Sequence, residues 1–504
     1  MSAKKYSLPR GTRDFLPGET AVRGHVRGKV ESVFKSFGYM RIQTPTFEEF
    51  ALLSARAGEK IRESMFTFFC DGAEYALRPE MTAPVCRLIA SGMFAGMPKP
   101  HKLYYIERCF RYERPREGAY REFTQAGVEL IGSASPAADA EVIALAVRAL
   151  ESLGISSYKL KIGSIGIYRE LLNQEGLSSK KQDKVVELID SMASVREKCA
   201  AILASAGSHE DDIDYVRREL TEIYDAQQST GYEGDFAVTL PEKYDAAVAA
   251  EWLKKLPAYA EDTCRHRLAA EGLVKAEMAT LLLALSGVQG GFAEVEPKAA
   301  ELLKSYQAAM GEFDRLGEVC ACLASGGVKN FEIVLGIAAG FDFYTGAVFE
   351  INAEVSGGRK RICGGGRYDK LVEDFGGEHT PAAGFAFGFD RLVEAFEVSG
   401  GKADKSAIDV CIAAESNDAA VIGTAIGIAG ELRGAGFRTA APLSDEGIDA
   451  QLAYAAATGA RAVVVVGPAD VEKKQCRLRA ADGSERVVPA DGLSKILSNE
   501  SAMS

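Results

Sequence analysis

The run "KLYYIERCFRYERPREGAYREFTQAGVELIG", residues 102–132, constrains the fold most. Two segments of strand composition flank a charged loop that carries Arg114 and Arg116, and a hairpin built this way is antiparallel. Residues two apart on a strand share a face. Arg111 and Glu113 therefore face one way, and Gln125, Gly127 and Glu129 share a face on the second strand. A fixed cation beside a fixed acceptor suits a nucleotide, with the cation to phosphate and the carboxylate to an exocyclic amine. The same residues would also suit a charged, exposed hairpin. Gly127 opens floor space for a ligand. Glu129, if buried rather than on a solvated face, requires a partner.

Around this hairpin the chain alternates helical and strand-like segments. "VRGHVRGKVESVFKSFGY" has helical periodicity and ends at Gly38. "MRIQTPTFEEF" reads as a strand interrupted by Pro45. "EYALRPEMTAPVCRLIASGM" is a strand running into a helix, with Glu80 and Thr82 two apart on one face. "PAADAEVIALAVRALESLG" is an amphipathic helix with Pro136 near its start. Residues 165–328 carry Ala, Leu, Glu and Lys at helical spacing and read as a helical insertion. Residues 329–400 return to strands and glycines, and "GGKADKSA" has linker composition. Residues 408–504 alternate β and α, with a hairpin "QCRLRAADGSERVVP" turning at Asp-Gly. The expected division is 1–164 and 329–400 as two parts of a core, 165–328 as the insertion, and 408–504 as a small α/β domain.

Bulk properties exclude several classes. At 504 residues, two to four domains are expected. No apolar run approaches the ~18 residues of a membrane span. The start of the chain has two lysines but no apolar core after them, so no signal peptide is expected there. The ten cysteines form no CxxC pair and read as reduced cytosolic thiols. The five histidines show no ligand spacing, so no metal site is expected. A net charge of −12 disfavours indiscriminate nucleic-acid binding, though not a local basic face.

Three further stretches bear on chemistry. "CGGGRYDKL", 363–371, places three glycines where the backbone could approach a ligand closely, without the spacing of a P-loop. "AAGFAFGFDRLVEAF" is a glycine-interrupted strand entering a helix. Arg391 in its first turn could reach an anion over the sheet or lie on the helix surface. "IAAGFDFYTGAVFE" reads as a turn presenting Asp342, Phe343 and Tyr344, followed by a strand.

The order of these pieces resembles a class II aminoacyl-tRNA synthetase. Its first motif would end at Pro45, the second would run from Arg111 to Glu129, and the third from Gly384 to Leu392. Within that class the chain is similar to histidyl-tRNA synthetases, through "LPRGTRDFLP", "LRPEMTAP", "FRYERP…REFTQAGVELIG", "GFDFYTGAVFE", "CGGGRYDKL" and "GFAFGFDRL". "DAQLAYAAATGARAVVVVG" resembles that family's anticodon-binding domain.

The resemblance implies an α/β (α+β) fold: an antiparallel sheet flanked by helices, a helical insertion and a small C-terminal α/β domain. It implies that Glu80, Thr82 and Gln125 hold the α-amino group of histidine, and that Glu129 and Tyr344 read the imidazole. Phe343 stands where a second hydroxyl is usual. Arg111 would meet the α-phosphate, Glu113 the adenine, and Arg391 the nucleotide from the third motif; Arg111 and Arg391 would be the catalytic residues. Implied substrates are histidine, ATP with Mg2+, and histidine tRNA, with no tightly bound cofactor. A cytoplasmic homodimer is implied, with no role for membrane or DNA.

The chain departs from the family pattern at two arginines, replaced by Ala119 and Ala339. Losing one preorganised donor to developing charge costs ~100- to 1000-fold in rate. Arg116 or Arg121 could stand in for the first, and Arg359, Lys360 or Arg361 for the second. Residues 408–504 hold nine lysines and arginines against thirteen acids, Asp445, Glu446 and Asp449 among them. Lys473, Lys474, Arg477 and Arg479 could still form a local RNA-binding patch. A second resemblance, through "REFTQAGVELIG" and "GIYRELL", is to the regulatory subunit of ATP phosphoribosyltransferase. Those regulators usually lack the C-terminal domain present here.

Overall fold

The structure, a computed structural model, describes residues 6–501 apart from 56, 58, 113–119, 205–209, 233, 235, 338–342, 405–407, 444–446 and 480–482. Two compact units are formed, one by residues 1–12 and 29–401 and the other by 13–28 and 402–504.

The strands of the first unit are β1 (Met40–Arg41), β2 (Phe47–Glu49), β3 (Thr67–Cys70), β4 (Ala73–Leu77), β5 (His101–Phe110), β6 (Glu122–Ile131), β7 (Tyr158–Ser164), β8 (Gln289–Gly290), β9 (Glu332–Val334), β10 (Ala347–Val355), β11 (Gly358–Arg367) and β12 (Ala382–Gly388). Nine of them build one sheet in the order β1-β5-β6-β12-β11-β10-β7-β9-β8. Its centre, from β5 to β7, is antiparallel throughout. The remaining three strands make a small sheet, β2-β4-β3. The segment interrupted by Pro45 is thus two short strands in two different sheets, because proline cannot donate to a ladder.

Alternation along the strands separates the faces of the large sheet. On one face Tyr104, Phe349 and Phe385 pack, and Phe34 of the helix Pro17–Ser36 seats its ring 5.6 Å from Tyr104 and 6.0 Å from Phe385. Burying a phenylalanine of this kind contributes about 1.5–3 kcal/mol. On the other face Tyr105, Val348, Phe343, Tyr344 and Tyr368 join Val85 and Cys86 of the helix Thr82–Ala90 in one apolar cluster.

The helix Pro136–Ser152 begins as its sequence dictates. Pro136 occupies the first turn, and the Ser135 hydroxyl accepts from the Ala137 N–H at 3.2 Å. Its buried Asp139 holds Arg367 of β11, with Nε 2.8 Å from Oδ1.

The described residues between 165 and 325 are mostly helical, in seven helices interrupted by β8. The last, Gln307–Ser325, packs on the helix Pro136–Ser152 through Arg315, whose Nη2 lies 3.1 Å from Asp139 Oδ2. Among the described residues no helix is long and apolar enough to cross a membrane.

The second unit carries β13 (Val410–Ala414), β14 (Thr439–Ala440), β15 (Ala462–Val466), β16 (Gln475–Arg479) and β17 (Glu485–Pro489), ordered β14-β13-β15-β16-β17. The first three are parallel and the last two antiparallel. The segment "FRTAAP" contributes only the two residues of β14. Asp482 of the Asp-Gly turn lies outside the described residues; Gly483 adopts φ +84°, which favours glycine. Arg477 and Arg479 do not stand in an open cationic patch. Arg477 pairs with Glu415 at 2.6 Å, Asp470 at 3.1 Å and Glu485 at 3.1 Å, while Arg479 pairs with Glu485 at 2.9 Å. The register of the hairpin sets Glu485 directly opposite Arg479.

Candidate active site

Glu129 is the centre of the site. It lies in the middle of the sheet on β6, opposite Leu103 of β5 and Gly384 of β12, and is 1% exposed. Three hydroxyls point at its carboxyl group. Thr82 Oγ1 donates to Oε1 at 3.0 Å, Tyr105 OH to Oε1 at 2.9 Å, and Tyr368 OH to Oε2. Burial outweighs these donors and pushes the Glu129 carboxyl up to about 8. The site is thus a polar knot inside an apolar cluster, able to receive one N–H group once the acid ionises.

Glu80 and Thr82 are not on a strand face, contrary to the expectation from their spacing. Pro79 ends the extended run, and Thr82 opens a helix. The Glu80 carboxylate turns back and accepts from the backbone N–H groups of Thr82, at 2.5 Å, and Ala83, at 2.9 Å. Two orphan donors of the helix are satisfied in this way. Glu80 is also buried, and burial raises its carboxyl from the usual range. The cap brings Glu80 and Thr82 beside Glu129.

Gln125 shares a face with Glu129, as the four-residue spacing requires, and its Oε1 accepts from Cys109 Sγ at 3.4 Å. Arg111 lies just past the end of β5. Its backbone N–H extends the ladder by one rung to the Arg121 carbonyl, its Nε donates to the Pro79 carbonyl at 2.9 Å, and its guanidinium lies 5.1 Å from the centre of the Phe123 ring. Arg111 therefore reaches the bend that carries Glu80. Arg391 is the third residue of the helix Phe389–Val398, and its Nη1 donates to the Arg361 carbonyl at 2.9 Å. The next residue back, Asp390, accepts from the Thr124 N–H at 3.0 Å, which fixes the start of this helix on β6.

Phe343 and Tyr344 are both buried, with ring centres 4.9 Å apart, and Phe343 meets Tyr368 edge-on at 5.8 Å. Burial pushes the Tyr344 hydroxyl well up. The Tyr344 carbonyl accepts from Arg169 Nε at 3.0 Å, and Arg169 pairs with Asp183 at 2.9 Å. Glu113, Ala119 and Arg116 lie outside the described residues, as do Ala339 and Asp342. Arg121, offered as a substitute for a loop arginine, stacks over Tyr112 at 4.0 Å and donates to the Arg10 carbonyl at 3.3 Å.

Two glycine expectations are corrected. The space at Gly127 is taken by the Tyr105 hydroxyl, 2.7 Å from where a Cβ would stand. Of the three consecutive glycines 364–366 in β11, Gly365 and Gly366 are required by packing: a Cβ would stand 2.5 Å from Phe385 Cβ at the first and 2.6 Å from the Ala347 carbonyl at the second. Of these three, Gly364 leaves open space, with nothing within 4 Å of a Cβ.

Tyr105 and Tyr368, which hold Glu129, carried no role in the sequence argument. A signal for Tyr105 existed. Counting pairs back along the hairpin sets it opposite Gly127, and a large residue across from a glycine fills the gap. Tyr368 sits one residue past β11, and only the fold brings it to Glu129.

Known proteins of one family resemble this chain. A histidyl-tRNA synthetase family profile matches residues 11–263 and 259–392, and an anticodon binding domain profile matches residues 409–500. The chain is 35% identical to a histidine–tRNA ligase of Archaeoglobus fulgidus over 97% of this chain and 98% of that one. It is 33% identical to the histidine–tRNA ligase of Methanocaldococcus jannaschii, again covering 97% and 98%. The crystal structure of histidyl-tRNA synthetase from Nostoc sp. PCC 7120 superposes with a TM-score of 0.67 at 20% identity, covering 99% of this chain and 100% of that one, a likeness of fold. The chain belongs to the histidyl-tRNA synthetase family.

Proposed function

We propose that this chain activates histidine with ATP and transfers the histidyl group to the 3′ end of histidine tRNA. The observation that carries this reading is the Glu129 carboxyl, buried among Thr82, Tyr105 and Tyr368 and raised to about 8. A group that gives up its proton near neutrality can exchange it for the N–H of an imidazole, which itself titrates in that range.

In this reading Glu129 and Tyr344 take the imidazole, and Glu80, Thr82 and Gln125 hold the α-amino group. Arg111 meets the α-phosphate, Glu113 the adenine, and Arg391 the nucleotide phosphates; Mg2+ arrives with ATP as part of the substrate. The carboxylate of histidine attacks the α-phosphorus and pyrophosphate leaves. A ribose hydroxyl of the tRNA then attacks the acyl carbon and AMP leaves. Orientation and charge stabilisation supply most of the rate, since the nucleophile belongs to the substrate. The C-terminal unit would hold the tRNA, and the working form would be a cytoplasmic homodimer paired through the segment ending at Pro45.

The regulatory-subunit reading is not favoured, because the relatives matched over nearly their full length, C-terminal domain included, are named histidine–tRNA ligases. Charging of histidine tRNA with labelled histidine tests the proposal. Accumulation of histidyl-tRNA is the expected result. Histidine binding without any charging would overturn it.

A further inference from the structure

Lys161, Glu350 and Arg361 form a charged cluster on the Glu129 face of the sheet. The register runs Gly163, Val348, Gly366, Gly384, Glu129 across five strands, and the next row runs Lys161, Glu350, Gly364, Ala386, Gly127. Glu350 Oε1 lies 3.4 Å from Lys161 Nζ, and Oε2 lies 3.8 Å from Arg361 Nη1. Asn352 Nδ2 donates to Glu350 Oε1 at 3.0 Å. Lys161 and Glu350 are 13% and 14% exposed, while Arg361 is 50% exposed. One carboxylate therefore faces two cations. Gly364, in the same row as Lys161 and Glu350 and next to the Glu129 row, leaves the sheet floor uncovered. Arg391 reaches the same edge, because its Nη1 is bonded to the Arg361 carbonyl.

We propose that Arg361 is a phosphate-contacting residue of this site, held by Glu350 and acting beside Arg391 on the phosphate chain of the bound nucleotide. The assignment rests on the proposed function. A half-exposed guanidinium anchored at one end can swing its free N–H groups onto a phosphate lying over Gly364. Its charge is also felt at the Tyr344 hydroxyl, which burial otherwise drives upward, so it lies close to the histidine side of the pocket. A guanidinium serving only as a surface ion pair with Glu350 would matter little.

The test is histidine-dependent ATP–pyrophosphate exchange on the full chain and on Arg361→Ala and Arg361→Lys, with histidine calorimetry and thermal unfolding alongside. Arg361→Ala should lower kcat/KM for ATP by ~10- to 100-fold, with histidine affinity and Tm unchanged, and Arg361→Lys should recover part of the loss. Exchange by Arg361→Ala within about twofold of the parent protein would overturn the assignment, as a mere surface pair predicts. So would a parallel loss of histidine binding, which would mark a structural role. Absence of exchange in the parent protein would instead overturn the proposed function, and this assignment with it.

Discussion

Gly384 stands so close to Glu129 across the β6–β12 pair that a Cβ at residue 384 would overlap the Glu129 Oε2 atom. The backbone of one strand is thus the wall against which the central carboxyl rests. Gly384→Ala should displace that carboxyl from Tyr368 and Tyr105. Overpacking of this kind costs roughly 1–3 kcal/mol. Histidine affinity should fall about 10- to 100-fold in calorimetry, since each 1.4 kcal/mol is tenfold.

If Glu129 takes the histidine imidazole as proposed, its raised carboxyl makes histidine binding a proton-linked event. With a value of about 8, the empty pocket holds the acid protonated at pH 7. Accepting a ring N–H requires the carboxylate, so binding at pH 7 should release close to one proton. Affinity should then rise by about 5-fold between pH 7 and 8, and level off above about pH 9. Calorimetry in buffers of different ionisation heat reads the proton directly, and Glu129→Gln should abolish its release.

The same group should cost stability. Between the ordinary carboxylate range and about pH 8 the folded chain binds this proton and the unfolded chain does not. Stability without ligand therefore falls as pH rises through that window. Glu129→Gln should be more stable than the parent protein at pH 8, by thermal unfolding, while binding histidine poorly.

Arg367 is 2% exposed and holds Asp139, Asp369 and the Ser133 carbonyl, while its own carbonyl accepts from the Thr345 N–H beside Tyr344. Arg367→Met should destabilise the chain by ~3–5 kcal/mol, because Asp139 keeps a buried charge with a reduced set of partners. Arg367→Met combined with Asp139→Leu should recover much of that loss in urea unfolding.

Much of the large sheet was legible because its signals are local. The ten-residue strands β5 and β6 follow from composition and a short charged loop, and the Gln125–Glu129 spacing follows from the two-residue period. Glu80 was misplaced because its role is a helix cap, and Pro79 hides the end of the strand. Tyr368 and the Arg169 tether to Tyr344 were not legible at all, since each depends on segments far apart in sequence meeting at the sheet. The glycines of β11 were legible as necessary but not for the right reason: two of them admit neighbouring strands and side chains rather than a ligand.

The ion pairs of Arg477 and Arg479 bear on RNA binding. With those two engaged by Glu415, Asp470 and Glu485, Lys473 and Lys474 are the members of the proposed patch left to meet phosphate. Replacing both lysines by alanine should flatten the dependence of log K on log salt by roughly 1–2, at about 0.7–0.9 per lost contact. Arg479→Ala should leave that slope near the parent value. Filter binding of histidine tRNA over a salt series checks both.

The most direct test of the account is amino-acid-dependent ATP–pyrophosphate exchange with the purified chain, each of the twenty amino acids supplied singly and an Ala339→Arg variant run in parallel. A Glu129-centred pocket that feeds an activation site predicts exchange with histidine alone, already present in the parent protein because other cations on the sheet face serve the phosphates. No exchange with any amino acid, or exchange appearing only in the Ala339→Arg variant, would contradict it.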